Sequence, residues 1–555
     1  MTMTKAESLT FALAQVNTSV GDIESNSRVI FDYASRAYEQ GAHIVVFPEM
    51  TLTGYPIEDL ALRATFRKAA EDSASAIARK LKNNGYGDLF VVVGTVGTSH
   101  DARSAQGVEL PTNTLLVLHD GEVIHSYDKQ FLPNYGVFDE FRIFTPGHRT
   151  LTMQIDGYRL GFAICEDIWQ DNGPAQQLAD ADLDALVTIN GSPFEENKDS
   201  VRLDLCIKRA QEVNAPVVYV NQVGGQDDLV FDGGSFVVSK EGTVLARLNQ
   251  FDQDMRTWTL HADGTSTADE LAREMDTDEK VYRACVLGLE DYMRKNGFKG
   301  VVLGLSGGID SALVAAMAAD ACGGENVWGI SMPSMYSSDG SKDDAADLAQ
   351  NIGAHYEIQP IEPIFTSYQE QLNLEGIAQE NLQARIRGVI VMAYSNSHGL
   401  LALATGNKSE CACGYSTIYG DAVGGYAPIK DLLKTRVWQL ARWRNSFAIE
   451  NGQVPPIPEN SIIKPPSAEL RPGQKDSDSL PEYELLDAVL EAYIEKAHGR
   501  ADLLADGFDE KTVDTVMRLV DRAEWKRRQY PLGPKVTALA FGRDRRLPVT
   551  NAFRE

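Results

Sequence analysis

The sequence predicts an α/β protein of two large domains, each with its own buried sheet. Three observations support this: the length, the alternation of strands with helices, and one polar interruption. The chain has 555 residues, which is too many for one ordinary core. Short apolar strands alternate with helices up to about residue 260 and again beyond 280, as is typical of α/β layers. Between them, 263–279 is polar and acidic and is interpreted as a linker, so the predicted domains are 1–262 and 280–555.

The predicted strands are β-rich apolar runs bounded by turn residues. In the first domain they cover 9–16, 44–47, 90–96, 114–119, 159–164, 185–189, 217–221 and 235–239, with helices at 25–40 and 65–82. In the second domain, a helix from Val281 leads to a strand at 300–305, and further strands at 327–332, 356–360 and 400–404 lie between helices. This order predicts a doubly wound, mostly parallel sheet.

Composition restricts the class of protein. The formal net charge of −27 argues against a general nucleic-acid binder or a binder of anionic membranes, since both need a basic surface. We find no secretion signal and no run approaching the roughly 18 apolar residues that a membrane span needs. The six cysteines form no disulfide framework, and Cys411 and Cys413 lack a second Cys/His pair for zinc. We therefore expect a cytoplasmic protein.

Three reactive residues of the first domain each follow an apolar run: Glu49, Lys129 and Cys165. Taken singly, each has an ordinary explanation. A free Cys is often a small core residue, and a Lys or Glu at a strand end is usually solvated. Together the three resemble the Glu–Lys–Cys triad of the nitrilase superfamily. The resemblance covers nearly the whole first domain and implies an αββα sandwich.

Amide cleavage explains these residue types. An unperturbed thiol is mostly protonated at neutral pH, so a Cys nucleophile needs a base, and the tetrahedral intermediate needs a cation or donors at its oxyanion. The resemblance assigns Cys165 as the nucleophile and Glu49 as the base and acid. It assigns Lys129 as the oxyanion stabiliser, helped by the N–H of Glu166.

Two further segments specify the amide. Residues 129–144 (KQFLPNYGVFDEFRIF) and 190–194 (NGSPF) resemble the glutaminase domains that are fused to NAD synthetases. The resemblance implies that Tyr135, Ser192 and Lys198 hold the backbone of L-glutamine. A cation suits the carboxylate of an amino acid, and oxygen acceptors suit its ammonium group. The chain has no N-terminal Cys and no G-x-C-x-G elbow, which excludes two other kinds of glutaminase.

In the second domain, the strand at 300–305 runs into a Ser/Gly-rich turn and then a helix. Backbone N–H groups at such a helix N-terminus stabilise an anion, and the glycines let a phosphate approach closely. An ordinary βα turn is the alternative. The turn is similar to the SGGxDS pyrophosphate loop of the ATP-pyrophosphatase family, which implies ATP contacts along Gly304, Leu305, Ser306, Gly307, Gly308, Ile309, Asp310 and Ser311.

Later motifs follow in the order and spacing of the NAD synthetase family. They are 380–387 (ENLQARIR), 403–410 (LATGNKSE), 419–421 (YGD), 428–435 (PIKDLLKT) and 525–528 (WKRR). Singly, each would be a solvated helix charge or a Gly-rich turn. The resemblance implies ATP contacts at Thr405 and Lys434, with Ser467 as a further candidate. It implies deamido-NAD contacts at Asn381, Glu410, Asp421 and Lys526, and Mg²⁺ at Asp310 and Glu410. The family commonly has His-Lys where this chain has Trp525-Lys526, so only the Lys is carried over.

The expected activity is amidation of deamido-NAD with ammonia from glutamine, while ATP is split to AMP and diphosphate. The alternatives are a glutamine amidotransferase of the same design with another adenylated acceptor, and a nucleotide-binding protein with an inactive glutaminase. Two Ser-, Pro- or charge-rich stretches, 333–344 and 463–482, are predicted loops, and the second is either an active-site lid or a plain connector. The family implies a homo-oligomer, at least a dimer.

Overall fold

The computed structural model describes residues 5–103, 107 and 109–553. Its chain divides into two compact units. The first comprises Met1–Gln226 and Val230–Met275, and the second comprises Asp227–Leu229 and Asp276–Glu555.

The first unit alternates strands with a few helices. The strands are β1 (Ser8–Gln15), β2 (Ile44–Val46), β3 (Phe90–Arg103), β4 (Glu109–His119), β5 (Glu122–Asp128), β6 (Leu151–Ile155), β7 (Tyr158–Ile164), β8 (Ala185–Asn190), β9 (Val217–Asn221), β10 (Val223–Gln226), β11 (Leu229–Asp232), β12 (Phe236–Val238), β13 (Val244–Arg247), β14 (Asp254–His261) and β15 (Ser266–Ala268). The helices are α1 (Ile23–Glu39), α2 (Ala64–Asn83), α3 (Glu140–Ile143), α4 (Pro174–Gln177) and α5 (Lys198–Val213).

Two sheets face each other across the main core of this unit. Within the described residues, one sheet has the order β15-β14-β1-β2-β3-β4-β5 and the other β13-β12-β9-β8-β7-β6. Fully buried side chains from both, such as Phe11 and Phe162, form one cluster between them. A second cluster packs α5 on the outer face of the second sheet, and α1 and α2 pack together beside the first. The predicted αββα sandwich is therefore confirmed.

The predicted linker, 263–279, contains structure that the sequence pattern did not indicate. Ser266–Ala268 forms β15, which pairs antiparallel with β14 through Trp258↔Ala268 and Leu260↔Ser266. Its residues are small and mostly exposed, so the strand is held by ladder hydrogen bonds and buries no apolar face. These residues of the predicted linker therefore extend the first sheet, and the boundary between the two units follows them at Met275.

The second unit contains a small sheet and many helices. Its strands are β16 (Val301–Gly304), β17 (Val327–Ser331), β18 (His355–Ile358) and β19 (Leu401–Ala402). Its helices are α6 (Thr277–Asn296), α7 (Ile309–Cys322), α8 (Asp339–Ile352), α9 (Glu362–Leu372), α10 (Ile377–His398), α11 (Lys408–Cys413), α12 (Lys434–Glu450), α13 (Glu459–Ile463), α14 (Tyr483–Leu490), α15 (Arg500–Ala505), α16 (Glu510–Arg522) and α17 (Glu524–Arg527).

The sheet of the second unit is parallel, with the order β18-β17-β16-β19. Side chains of α9 and α10 pack on Val302 and Ile330, while α7 and α8 also contact these strands. The chain runs outward from β16 to β18 and then returns to place β19 on the other side of β16. Such a reversal opens a crevice at the carboxyl ends of β16 and β19, the strands on either side of the reversal, where doubly wound folds bind ligands.

Candidate functional sites

The first unit holds a fully buried cluster of charges. Lys129 follows β5, and its Nζ donates hydrogen bonds to Glu49 Oε1 and to Glu140 Oε2, both at 2.8 Å. Glu49 Oε1 also accepts from Asn113 Nδ2 at 2.6 Å, and Glu49 Oε2 accepts from the backbone N–H of Gly191 at 2.8 Å. Burial alone would lower the pKa of Lys129, but Glu140 and Glu49 raise it well above its ordinary value. The two carboxylates therefore favour the charged form of Lys129.

Glycine is required where the backbone approaches Glu49. A Cβ on Gly94 would lie 2.2 Å from the backbone N of Met50, and one on Gly191 would lie 2.9 Å from the ring of Tyr55 and 3.2 Å from Glu49 Oε2. Because real Cβ atoms do not approach a backbone atom to 2.2 Å, a side chain at Gly94 would displace the carboxylate.

Cys165 begins a short turn at the end of β7, with φ at +44°. This left-handed conformation is uncommon for a residue with a Cβ, and such backbone strain often accompanies function. The side chain is buried. Burial, with Glu49 next, raises the thiol pKa well above its ordinary value, while Lys129 lowers it. The resting group is therefore a neutral thiol that needs a base before it can attack.

Asp167 joins the chain segment of Lys129 to the turn of Cys165. Its Oδ1 accepts from the backbone N–H groups of Gln130 and Phe131, both at 2.9 Å. Its Oδ2 accepts from the hydroxyl of Tyr127 at 2.6 Å and from the N–H of Ile164 at 3.0 Å. The carboxylate is fully buried, and burial raises its pKa to about 6 despite these donors.

The three residues predicted to hold glutamine lie on separate elements. The hydroxyl of Tyr135 donates to Glu166 Oε2 at 2.8 Å, although more than half of the Tyr135 side chain is exposed. Ser192 is buried after β8, where its N–H donates to Asn221 Oδ1 at 3.0 Å. Lys198 is the first residue of α5 and is partly exposed.

In the second unit, the predicted phosphate loop connects β16 to α7 as expected. Gly307 has φ at +75°, and a Cβ there would lie 2.2 Å from the carbonyl oxygen of Ser341. Ser311 Oγ donates to the carbonyl of Gly308 at 3.0 Å, and the N–H of Gly308 donates to Ser306 Oγ at 3.2 Å. The loop is thus fixed by its own hydroxyl groups and by close packing.

Asp310 brings the phosphate loop together with the segment that follows β19. Its Oδ1 accepts from Asn407 Nδ2 at 2.9 Å, and its Oδ2 forms an ion pair with Lys434 Nζ. Asn407 caps α11 and shares a capping box with Glu410. Burial, and then the charge of Asp310, raise the pKa of Glu410 well above its ordinary value. Two carboxylates and one ammonium therefore share this site.

Thr405 precedes this capping box and is partly buried. Ser467 is different: its hydroxyl donates to the carbonyl of Gln474 at 2.6 Å in an exposed part of its own loop. That loop is held at Glu469, whose Oε1 accepts from Ser338 Oγ at 3.0 Å and Ser341 Oγ at 2.9 Å. The two predicted loop segments, 333–344 and 463–482, are therefore bonded to each other, and the first contains the start of α8.

The remaining predicted nucleotide residues converge on the segment 414–421. Asn381 Oδ1 accepts from Thr417 Oγ1 at 2.7 Å, and Asp421 Oδ1 accepts from the N–H of Thr417 at 2.8 Å. Lys526 Nζ donates to the carbonyls of Gly414 and Ser416, at 2.7 and 2.9 Å. Burial raises the pKa of Asp421 and lowers that of Lys526.

Each of the two units matches a known protein family. The Carbon-nitrogen hydrolase family matches residues 10–269, and the NAD synthase family matches residues 281–530. The chain is 42% identical over 556 residues to the glutamine-dependent NAD(+) synthetase of Acinetobacter baylyi, with 99% of each chain covered. It belongs to the glutamine-dependent NAD(+) synthetase family. The resemblance that the motifs indicated is thereby confirmed.

Two other members give the same result. The glutamine-dependent NAD(+) synthetase of Aquifex aeolicus is 42% identical, over 98% of this chain and 100% of its own. The solved structure of the Acinetobacter baumannii enzyme, in complex with adenosine diphosphate, is 40% identical, with a TM-score of 0.78 over 98% of this chain and 99% of its own.

Sequence reasoning missed Asp167 and two further buried charged groups of the first unit, Glu140 and Arg202. Glu140 contacts Lys129 and also accepts from the hydroxyl of Tyr55 at 2.8 Å, and burial raises its pKa to about 7. Arg202 pairs with Asp232 at 2.7 Å, while its Nε donates to Ser192 Oγ at 3.1 Å. Glu140 lies in the motif that begins at Lys129, so a search for a second carboxylate there would have found it.

No helix among the described residues is long and apolar enough to cross a membrane.

Proposed function

We propose that this protein synthesises NAD⁺ from deamido-NAD, with ammonia that it releases from L-glutamine and with ATP as the source of activation. One observation carries the proposal. The chain combines a buried Glu49–Lys129 pair and a strained Cys165 in one unit with an Asp310–Lys434 pair at a phosphate loop in the other. The first arrangement suits amide hydrolysis, and the second suits adenylation.

In the glutaminase reaction, the neutral thiol of Cys165 would pass its proton to Glu49 as its sulfur attacks the side-chain carbonyl carbon of glutamine. The oxyanion that forms would be stabilised by Lys129, whose charged form Glu140 and Glu49 favour. Glu49 would then give its proton to the leaving nitrogen as the C–N bond breaks. Water would hydrolyse the thioester, which releases glutamate and restores the thiol.

In the synthetase reaction, the nicotinate carboxylate of deamido-NAD would attack the α-phosphorus of ATP, and diphosphate would leave. Lys434 is a buried cation whose pKa is raised by Asp310 and Glu410 against the effect of burial, so it suits a phosphate contact. Ammonia would then attack the acyl carbon of the adenylate, and AMP would leave. Asn381, Asp421 and Lys526 would bind deamido-NAD, and Thr405 would contact ATP.

Asp310 and Glu410 fit a Mg²⁺ site. Mg²⁺ takes oxygen ligands and needs only one or two protein carboxylates besides water and phosphates. Here two carboxylates lie close enough for one to raise the pKa of the other, a repulsion that a divalent cation would relieve. When bound, Mg²⁺ would neutralise charge on the phosphates.

The test compares two nitrogen donors in a Cys165→Ala variant. We expect no NAD⁺ formation with glutamine and near-normal formation with an ammonium salt, because Cys165 serves only amide cleavage. Cys206→Ala is the matched control: Cys206 is also buried in the first unit, and this variant should keep both activities. Loss of both activities in a folded Cys165→Ala protein would contradict the assignment of amide cleavage and NAD⁺ formation to separate sites.

A second assay tests the identity of the acceptor. The protein is incubated with ATP, ammonia and one of several carboxylate acceptors, and AMP release is measured for each. Deamido-NAD should give more AMP than the other acceptors.

The proposal extends to assembly and location. We propose that the protein is at least a dimer and is cytoplasmic, as the family resemblance implies. Light scattering that gives a monomer mass across micromolar concentrations would contradict the first statement, and fractionation of cells that make the protein tests the second.

A further inference from the structure

Arg387 is a cation without an anionic partner at the ligand edge of the second unit. It lies on α10, and its Nε donates one hydrogen bond, of 3.1 Å, to the carbonyl of Met332. No described acidic side chain lies within ion-pair distance of its guanidinium. Its neighbour Arg385 is exposed and donates instead to the carbonyl of Ile418 at 3.3 Å, so the two arginines of this motif have separate surroundings.

The electrostatic environment of Arg387 is unusual for an arginine. Burial lowers its pKa to about 10, even though the charges of Glu469 and Asp421 act in the opposite direction. Both acids are already engaged, Glu469 with Ser338 and Ser341 and Asp421 with Thr417. Among the described residues, the guanidinium of Arg387 has no acceptor besides the carbonyl of Met332, and the side chain is partly exposed. Its remaining donors are therefore available to an anionic ligand.

The position of Arg387 indicates which kind of anion this is. Met332 directly follows β17, and its methyl carbon lies 2.9 Å from where a Cβ of Gly304 would be. Gly304 ends the neighbouring strand β16 and leads into the Ser306–Ser311 loop. The guanidinium is therefore anchored at the carboxyl edge of the parallel sheet, close to the phosphate loop, where nucleotides bind in doubly wound folds.

We propose that Arg387 binds a phosphate group of a bound nucleotide, either ATP or the dinucleotide substrate, through the donors that it does not use on Met332. Guanidinium matches phosphate because its planar fork can donate two parallel hydrogen bonds. This inference rests on the proposed function, since it concerns the same synthetase site.

The test measures the dissociation constants of ATP and of deamido-NAD separately, by calorimetry with the full-length protein and Mg²⁺. Arg387→Gln should weaken binding of the nucleotide that it contacts by about ten- to a hundredfold, and Arg387→Lys should weaken it less. The affected ligand identifies the source of the phosphate. The dissociation constant of the affected nucleotide should also depend less steeply on salt concentration in Arg387→Gln, because one cation is lost. If the substitution only disturbed the local structure, the dependence on salt would stay as in the wild-type protein.

Arg442→Gln is the matched control, because Arg442 is an exposed cation on α12 of the same unit, and it should bind both nucleotides normally. Unchanged constants for both nucleotides in Arg387→Gln would overturn the inference, as would weaker binding with an unchanged salt slope. If Arg387→Gln does not fold, the dissociation constants of Arg387→Lys are used instead. Weaker binding of one nucleotide then supports the inference, and unchanged binding of both overturns it. Failure of the wild-type protein to bind either nucleotide would instead contradict the proposed function.

Discussion

Replacing Asp167 by Asn should loosen the glutaminase site without touching a reacting group. The Asp167 carboxylate accepts four hydrogen bonds, two on each oxygen. Asn keeps one oxygen and presents an NH₂ group at the position of the other. Whichever way the amide turns, two buried donors lose their acceptor and face another donor.

The magnitude follows from these two donors. A buried donor without an acceptor costs about 1–3 kcal/mol, so the substitution should destabilise this region locally by about 2–6 kcal/mol. The N–H groups that Asp167 binds lie on both sides of the site, at Gln130 and Phe131 and at Ile164. Lys129 and Cys165 are their direct chain neighbours, so both should lose their fixed positions.

Hydrogen exchange with mass spectrometry provides the assay. Peptides that cover 127–135 and 160–168 should exchange faster in Asp167→Asn by at least about thirtyfold, which corresponds to 2 kcal/mol. Glutamine-dependent synthesis should fall while ammonia-dependent synthesis persists. Asp180→Asn, at an exposed carboxylate of the same unit, is the control. It should change neither the exchange of these peptides nor glutamine-dependent synthesis. Unaltered exchange in both peptides, with normal use of glutamine, would refute the assigned positioning role.

Three further changes test individual groups. Asp310→Asn should abolish synthesis with either nitrogen donor, because Lys434 loses its partner and the site loses one of its two carboxylates; a variant with normal AMP formation would contradict this. Since the pKa of Glu140 is about 7, its carboxyl group is charged above that pH and neutral below it. Glutamate release should therefore fall as the pH drops from 8 through 7, when the partner of Lys129 is neutralised. Glu140→Gln, which cannot ionise, should lack this step near pH 7 and keep only the fall near pH 6, where Asp167 takes up its proton. Lys198→Ala should raise the KM for glutamine about ten- to a hundredfold through the loss of a charge-assisted bond and leave ammonia use unchanged; an unchanged KM would identify Lys198 as a surface charge.

Sequence patterns predicted the sheets well and the polar contacts poorly. The strands β2, β7, β8 and β9 lie within one or two residues of their predicted positions, because each is a short apolar run that must be buried. Glu140 was not predicted, since a glutamate between Asp139 and Phe141 has the pattern of a surface charge, and its burial depends on Lys129 and Tyr55 from elsewhere in the chain. The Arg202–Asp232 pair spans thirty residues, and no local pattern encodes such a contact.

Strand β15 determines where this protein can be divided. A glutaminase fragment cut at residue 262 would lose β15 and expose the whole hydrogen-bonding edge of β14, and open edges favour aggregation. It would also lose the bond from the N–H of Thr257 to Asp269 Oδ2, at 2.7 Å, and the ion pair of Arg247 with Glu274. A fragment that extends to Met275 keeps all of these contacts. Solubility of the longer fragment and aggregation of the shorter one would show that the segment before the second unit serves the first as a protective edge.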